Sequence, residues 1–346
     1  MSVLAVDLDA FSANLRTIAD RIAPATHMLV VKDDAYAHGL VPIVRRAWRD
    51  GVRWFGAFDV STGRAVREEL GPDARIFVWV IGTPDEAAAA VAARLEVGVG
   101  DATLLEDVAG AATDAGATAR VHLKVDSGLH RNGVRPEEWP AFVARARELE
   151  RAGAIEVVGV WSHIAEASDA DDDAARAVFE VAWDAARAAG LRPALRHLAA
   201  SAAAFARPEF RFDLVRIGAF AYGIRPADGP AAADLGIRPI GRLETEVVAV
   251  GEGAATIGIG SLDGLPSTLS GRIMVSTSQG LRPLHGIGLH TSTVDAWDAA
   301  RVGDMVTVYG DDASGAMSAT DLAEAIGTIG EEIALRVSPL VPRRYR

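Results

Sequence analysis

The sequence predicts an α/β fold, a (βα)8 TIM-type barrel followed by a smaller, mostly β C-terminal domain. Three observations carry this expectation. Apolar, β-branched runs recur eight times between residues 27 and 217, and helical stretches with 3.6-residue apolar spacing lie between most of them. After Pro226 the pattern changes to strand-like runs joined by short turns. Eight strands in βα alternation over about 220 residues fit one barrel better than a doubly wound sheet. No GxGxxG loop follows the first run, which lowers the dinucleotide-binding alternative further. The division is drawn at 1–228 for the barrel and 229–346 for the β domain, with Ala227–Leu235, rich in Ala, Asp, Gly and Pro, as a linker.

Taken in order, residues 9–22 place Phe11, Leu15, Ile18 and Ile22 on one helical face, with Asp7 and Asp9 near the start. A strand over 27–32 follows, then a helix over 40–50 stopped by Gly51. Further strands fall at 53–57, 75–81, 94–98, 119–124, 155–162, 194–200 and 212–217. Asp171, Asp172 and Asp173 put negative charge at the positive end of a helix over 174–189, and Gly190 ends it. Beyond the linker, strands are expected at 241–250, 272–278 and 302–309, with one helix near 320–326.

The 346 residues carry a net charge of −12, which argues against nucleic acid or an anionic membrane as partner. No cysteine is present, so disulfides, thiolate catalysis and Cys-based zinc sites are excluded, and no metal site is expected. No apolar stretch approaches the roughly 20 residues needed to cross a bilayer, and the N-terminus lacks a basic, signal-like region. A cytoplasmic protein acting on a small molecule is the expectation.

In a barrel the working residues sit at the C-terminal strand ends. Those ends read Lys32, Lys124, His163, Ser201 and Arg216. Singly each has a structural explanation: a snorkelling lysine, a loop charge, a hydrogen-bonded histidine, a helix cap, a paired arginine. Five matched positions argue for one shared site. A partly desolvated amine at a strand end is a nucleophile. With an arginine, Ser201 and the turn Ile217-Gly218-Ala219 late in the barrel, it suits a phosphorylated aldehyde cofactor. Gly218 permits close approach of the backbone.

Three segments then carry a resemblance. Val31-Lys32-Asp33-Asp34-Ala35-Tyr36-Ala37-His38-Gly39 looks like the lysine signature of the alanine racemase family, usually VKANAYGHG. Lys124 to Arg131 is similar to its KxDxGxxR segment, and Arg216 to Gly223 to its RxGxxxYG segment. The resemblance implies a pyridoxal 5′-phosphate (PLP) enzyme of fold type III, a head-to-tail homodimer, in which Lys32 forms a Schiff base and takes the α-proton of an amino acid. It further implies that Tyr36, Ser201 and the N–H groups of Gly218 and Ala219 bind phosphate. Arg216 would face the pyridine nitrogen and His163 lie against the ring. Arg131 would contact cofactor and substrate, beside Lys124, a carbamate in some members, with Leu289 in the substrate pocket.

The sequence also departs from the family. Its second base is a tyrosine of the partner subunit in an SYG-type segment, but here Val250-Gly251-Glu252-Gly253-Ala254-Ala255 shows a deletion and no tyrosine. The four tyrosines of the chain, Tyr36, Tyr222, Tyr309 and Tyr345, all lie elsewhere. Ser261 stands for another pocket tyrosine, Pro339 for a phosphate-binding tyrosine and His290 for an aspartate. Ala200 and Asp34 replace asparagines. Since inversion needs an acid on the opposite face, His290 is the candidate. The expectation is a PLP-dependent, racemase-like enzyme with weak alanine racemisation and a non-alanine substrate. The alternatives are a lyase or decarboxylase on the same cofactor site, or a non-catalytic PLP-binding protein.

Overall fold

The computed structural model describes residues 2–311 and 315–346. The chain opens with strand β1 (Val3–Val6) and continues through β2 (Thr26–Val30), β3 (Trp54–Asp59), β4 (Arg75–Val80), β5 (Glu96–Val99), β6 (Ala119–Lys124), β7 (Ile155–Trp161), β8 (Leu195–His197) and β9 (Leu214–Ile217). After these come β10 (Gly241–Val250), β11 (Ala254–Ile257), β12 (Met274–Thr277), β13 (Gly280–Ile287), β14 (Ser292–Asp295), β15 (Met305–Tyr309) and β16 (Arg343–Tyr345). They divide between two compact units, Ala19–Lys32 with Ala47–Gly218, and Met1–Ile18 with Asp33–Arg46 and Ala219–Arg346.

In the first of these units eight parallel strands run in the order β8-β7-β6-β5-β4-β3-β2-β9, a sheet nearly closed into a barrel and flanked by helices. All eight anticipated barrel strands are present. Parallel strands covered on both faces read as continuous apolar runs, which is why they were legible. Met28, Trp54, Phe77, Trp161 and Leu214 pack together as a buried cluster. Helix starts are fixed by side-chain caps: Asp59 accepts from Thr62 N at 2.8 Å, and Asp101 from Leu104 N at 2.8 Å. Ser168 caps Asp169–Ala188, so this helix begins five residues before the expected 174, and Asp169, Asp171 and Asp172 lie within its first turn.

The other unit holds a second sheet, ordered β11-β14-β13-β12-β15-β10-β1-β16. Its pairings are antiparallel except for β1 with β16, where Leu4 faces Arg343. β1, β11, β13, β14 and β16 were not anticipated: all but β13 are runs of three or four residues that give no periodicity to read, and β13, Gly280–Ile287, carries two glycines and a proline that read as turn. A second helix, Gly330–Arg336, follows the expected one, observed as Ala319–Glu324. The Ala227–Leu235 segment contains a short helix, Ala232–Leu235, closed by the left-handed Gly236 at φ 71°. Among the described residues no helix is long and apolar enough to cross a membrane, and no cluster of acids and histidines could hold a metal ion.

Candidate active site

Parallel strands share one C-terminal end, and register decides which residues meet there. Lys124 pairs with Trp161, and Trp161 with His197, so the ends of β6, β7 and β8 are level. Arg216 on β9 pairs with Met28 on β2, and Val31 N donates to Gly56 O, carrying β2 on to the half-buried Lys32.

Arg216 organises this end. Its Nη1 donates to His197 O (3.1 Å) and His197 Nδ1 (3.0 Å). Its Nη2 donates to Ser162 O (2.8 Å), Leu198 O (2.9 Å) and His163 Nδ1 (3.1 Å). These five contacts use the four terminal hydrogens, one of them shared. The Nε–H has no protein partner among the described residues. Burial and the nearby Arg131 lower the Arg216 pKa to about 9, so it remains a cation at neutral pH. Because guanidinium only donates, His163 Nδ1 is an acceptor and the ring is neutral. Burial, then the charges of Arg216, Arg131, Lys124 and Lys32, push His163 down to about 3.

Lys124 Nζ sits 4.5 Å from the centre of the Trp161 ring, and burial with Arg216 and Arg131 brings its pKa to about 8. The loop that carries Arg131 is closed on itself: Asp126 N donates to Val134 O and Val134 N to Lys124 O, both at 2.9 Å. The Asp126 carboxylate accepts from Gly128 N, His130 N and His130 Nδ1. Glu166 accepts from Ala203 N at 2.9 Å, in the helix Ser201–Ala206. The nearby carboxylates therefore have donors of their own, while four cations bear on one neutral imidazole. That donor set fits an anionic, flat ring with an acceptor nitrogen, and PLP has those properties.

The structure thus gathers Lys32, Lys124, Arg131, His163 and Arg216 around one electrostatic centre. Ser201 opens the helix after β8, and Gly218 follows β9. Sequence reasoning missed His122 and Glu96, although a lone polar residue inside an apolar strand is a readable signal.

Past Lys32 the chain enters a left-handed turn belonging to the other unit. Asp33, Asp34, Ala35, Tyr36 and Ala37 have φ of 54°, 54°, 55°, 55° and 62°. The turn is held by Ala37 N to Asp33 O at 2.9 Å, Leu40 N to Asp34 Oδ1 at 2.7 Å and Arg343 Nε to Ala37 O at 3.0 Å. Tyr36 is buried 4.7 Å from the Tyr222 ring, and burial pushes its pKa up, so it stays a phenol able to donate. Ala219 begins the short helix Ala219–Tyr222.

In the same unit, β10 and β11 are joined only by Gly251, Glu252 and Gly253. Val250 faces Ala255, and Gly251 N donates to Ala254 O at 2.8 Å. That three-residue turn contains no tyrosine. The other departures lie together: Ser261 N donates to Gly288 O, Leu262 N to Leu289 O, and Ser338 N to Asp263 O, at 2.9–3.0 Å. Leu289 and His290 are exposed at the tip between β13 and β14.

A lysine, two arginines and a neutral histidine at the strand ends of a parallel barrel define a cofactor-dependent enzyme of amine chemistry. Comparison with known proteins gives the family. The model of the alanine racemase N-terminal domain matches residues 6–226, and that of the C-terminal domain matches 239–345. An alanine racemase of Thermobifida fusca is 35% identical over 364 aligned residues, covering 98% of this chain and 96% of that protein. One of Frankia casuarinae is 36% identical over 370, covering 99% and 96%. The alanine racemase structure from Streptomyces lavendulae superposes with a TM-score of 0.95 at 34% identity, covering 100% of this chain and 97% of that one. The chain belongs to the alanine racemase family and is a PLP-dependent enzyme. Both sequence alignments are longer than the 346-residue chain itself, as expected if the relatives carry segments missing here.

Proposed function

We propose that the protein activates the α-proton of an amino acid from one face, with Lys32 holding the cofactor and moving the proton, and that it racemises alanine weakly. The observation that carries this reading is the three-residue turn Gly251–Gly253, which stands where the family's second-base tyrosine segment belongs. Pyridoxal phosphate, when bound, supplies the sink for the electrons of the broken Cα–H bond.

The residues supply the rest. Arg216, whose Nε–H is left over from its protein contacts, would hold the ring nitrogen; a permanent cation there would keep that nitrogen unprotonated and favour rapid return of the proton over diversion. His163, neutral and anchored through Nδ1, would lie against the ring. Arg131 binds the substrate carboxylate, beside Lys124. Ser201 and Gly218 N–H hold the phosphate, and the resemblance gives Tyr36 and Ala219 the same task. His290, with Leu289 next to it, returns a proton on the opposite face in a homodimer. Exposed Leu262, Leu289 and Leu340 on the C-terminal unit favour that assembly. Loss of the aromatic side chains at Ser261 and Pro339 favours a substrate larger than alanine.

The turn Gly251–Gly253 equally favours a second reading, a lyase or decarboxylase that dispenses with a second base. Solvent deuterium exchange at Cα over a panel of D- and L-amino acids tests both. Exchange with slow inversion supports the first reading and carbon loss the second. Fast L- to D-alanine turnover removes both.

A further inference from the structure

Arg216 is one end of a buried hydrogen-bonded chain that reaches the opposite end of the barrel. His197 Nε2 lies 2.9 Å from His122 Nδ1, and His122 Nε2 lies 2.9 Å from Glu96 Oε2. Glu96 opens β5, and Arg75 grips it with Nε to Oε1 at 2.6 Å and Nη2 to Oε2 at 2.8 Å. His122 and His197 are fully buried and Glu96 is 4% exposed, so no solvent competes for these bonds. The residues come from β9, β8, β6 and β5, stacked across the barrel interior.

Only one arrangement of hydrogens satisfies this chain. The guanidinium can only donate, so His197 Nδ1 is a lone pair and Nε2 carries its proton. That proton points at His122 Nδ1, which must then be a lone pair, leaving the His122 proton on Nε2. There it meets a carboxylate, which can only accept. Reading from Glu96 upward gives the same answer, so cation and anion specify one tautomer at both histidines. Burial lowers both imidazole pKa values, consistent with neutral rings. Burial raises the Glu96 pKa, but bonds from His122 and Arg75 outweigh it and hold the carboxyl at about 2. The His122–Glu96 contact is therefore a charge-assisted hydrogen bond rather than an ion pair.

We propose that Glu96 is a positioning residue for Arg216: through His122 and His197 it fixes the imidazole tautomers that fasten the guanidinium plane. Without the carboxylate, His122 Nε2–H loses its acceptor. The tautomers of both rings are then set free, and a His197 Nδ1–H would oppose Arg216 Nη1 instead of receiving it. An arginine turned in its plane presents Nε–H differently to a ring nitrogen. The last step rests on the function proposed above, whereas the tautomer chain does not.

The experiment uses full-length protein labelled with 15N-histidine, read by long-range 1H–15N correlation without added cofactor and by absorption and steady-state kinetics with PLP. Wild type shows protons on Nε2 of His122 and His197, and Glu96→Gln, which keeps an acceptor oxygen, retains them. In Glu96→Leu both signatures are lost, and in His122→Leu that of His197 is lost. With PLP, the Glu96→Leu absorption of bound cofactor shifts and kcat falls about tenfold, the scale of one charged hydrogen bond, with KM within about twofold. Unchanged His197 signatures in both leucine variants would overturn the proposal. So would a lower melting temperature accompanied by wild-type absorption and kcat. Should wild type bind no PLP, the functional reading fails while the tautomer result still decides the chain.

Discussion

The strand ends of the barrel and the hairpin tips of the C-terminal sheet have diverged to different degrees. At the strand ends, every charged position anticipated from the family's motifs is present, and Arg216 alone makes five hydrogen-bond contacts. At the tips, only three residues join β10 to β11, and serine, histidine and proline stand at 261, 290 and 339. On the function proposed above, cofactor chemistry and the fate of the proton are written in separate parts of the chain. A buried donor set cannot change one member without leaving others unpaired, while a solvent-facing hairpin can shorten at little cost.

The largest effect expected is at the strand ends. Lys32→Ala should abolish the absorption of bound cofactor and lower any activity about 10³–10⁴-fold. Retained cofactor absorption in that variant would break the contrast at once. Arg216→Met should cost about 3–5 kcal/mol in urea unfolding, because three carbonyls and two imidazoles lose a buried donor. At the tips, alanine inversion should run about 10²-fold slower than Cα deuterium exchange, the scale of one missing acid–base group, and His290→Ala should widen that gap. Equal rates would mean the short hairpin is no handicap.

The smallest effect lies at an ordinary structural pair in the C-terminal unit. Arg225 grips Glu324 at 2.6 and 2.9 Å and Asp321 at 2.7 Å. Arg225→Met should cost about 1 kcal/mol. The Arg225 bond lowers the Glu324 pKa. Burial raises that of Asp321, but bonds from Ser318 and Arg225 outweigh it, leaving a net lowering. Two carboxyls with depressed folded pKa values stabilise fully above their unfolded values, at about pH 4. The contribution is lost as pH falls through the lowered values. Urea midpoints of wild type and Arg225→Met should therefore converge toward pH 3, and a constant difference would contradict the assignment.

How much was legible follows from how each feature is encoded. The barrel strands were, because a doubly covered parallel strand needs a long apolar run. The lysine, arginine and histidine were, because strand ends can be located once the runs are placed. β1 and β16 were not, since their pairing is long-range and their lengths give no pattern, and β11, β13 and β14 were missed with them. The helix Asp169–Ala188 was placed late because Asp171, Asp172 and Asp173 read as residues before a helix rather than within its opening residues. Glu96 and His122 sit singly among apolar neighbours, and only the pairing of β5 with β6, with His197 of β8 meeting His122 inside the barrel, makes them partners. Nothing in Asp33-Asp34-Ala35-Tyr36-Ala37 announces five consecutive left-handed residues.

That last turn has a consequence of its own. Left-handed helical backbone costs an L-residue about 1–2 kcal/mol, and here five such residues, none of them glycine, follow directly on the amine-bearing lysine. The corner is a loaded spring, kept wound by the bonds from Leu40 and Arg343 and by burial of Ala35 and Tyr36. A chain released from those restraints would relax toward extended or right-handed backbone at this corner.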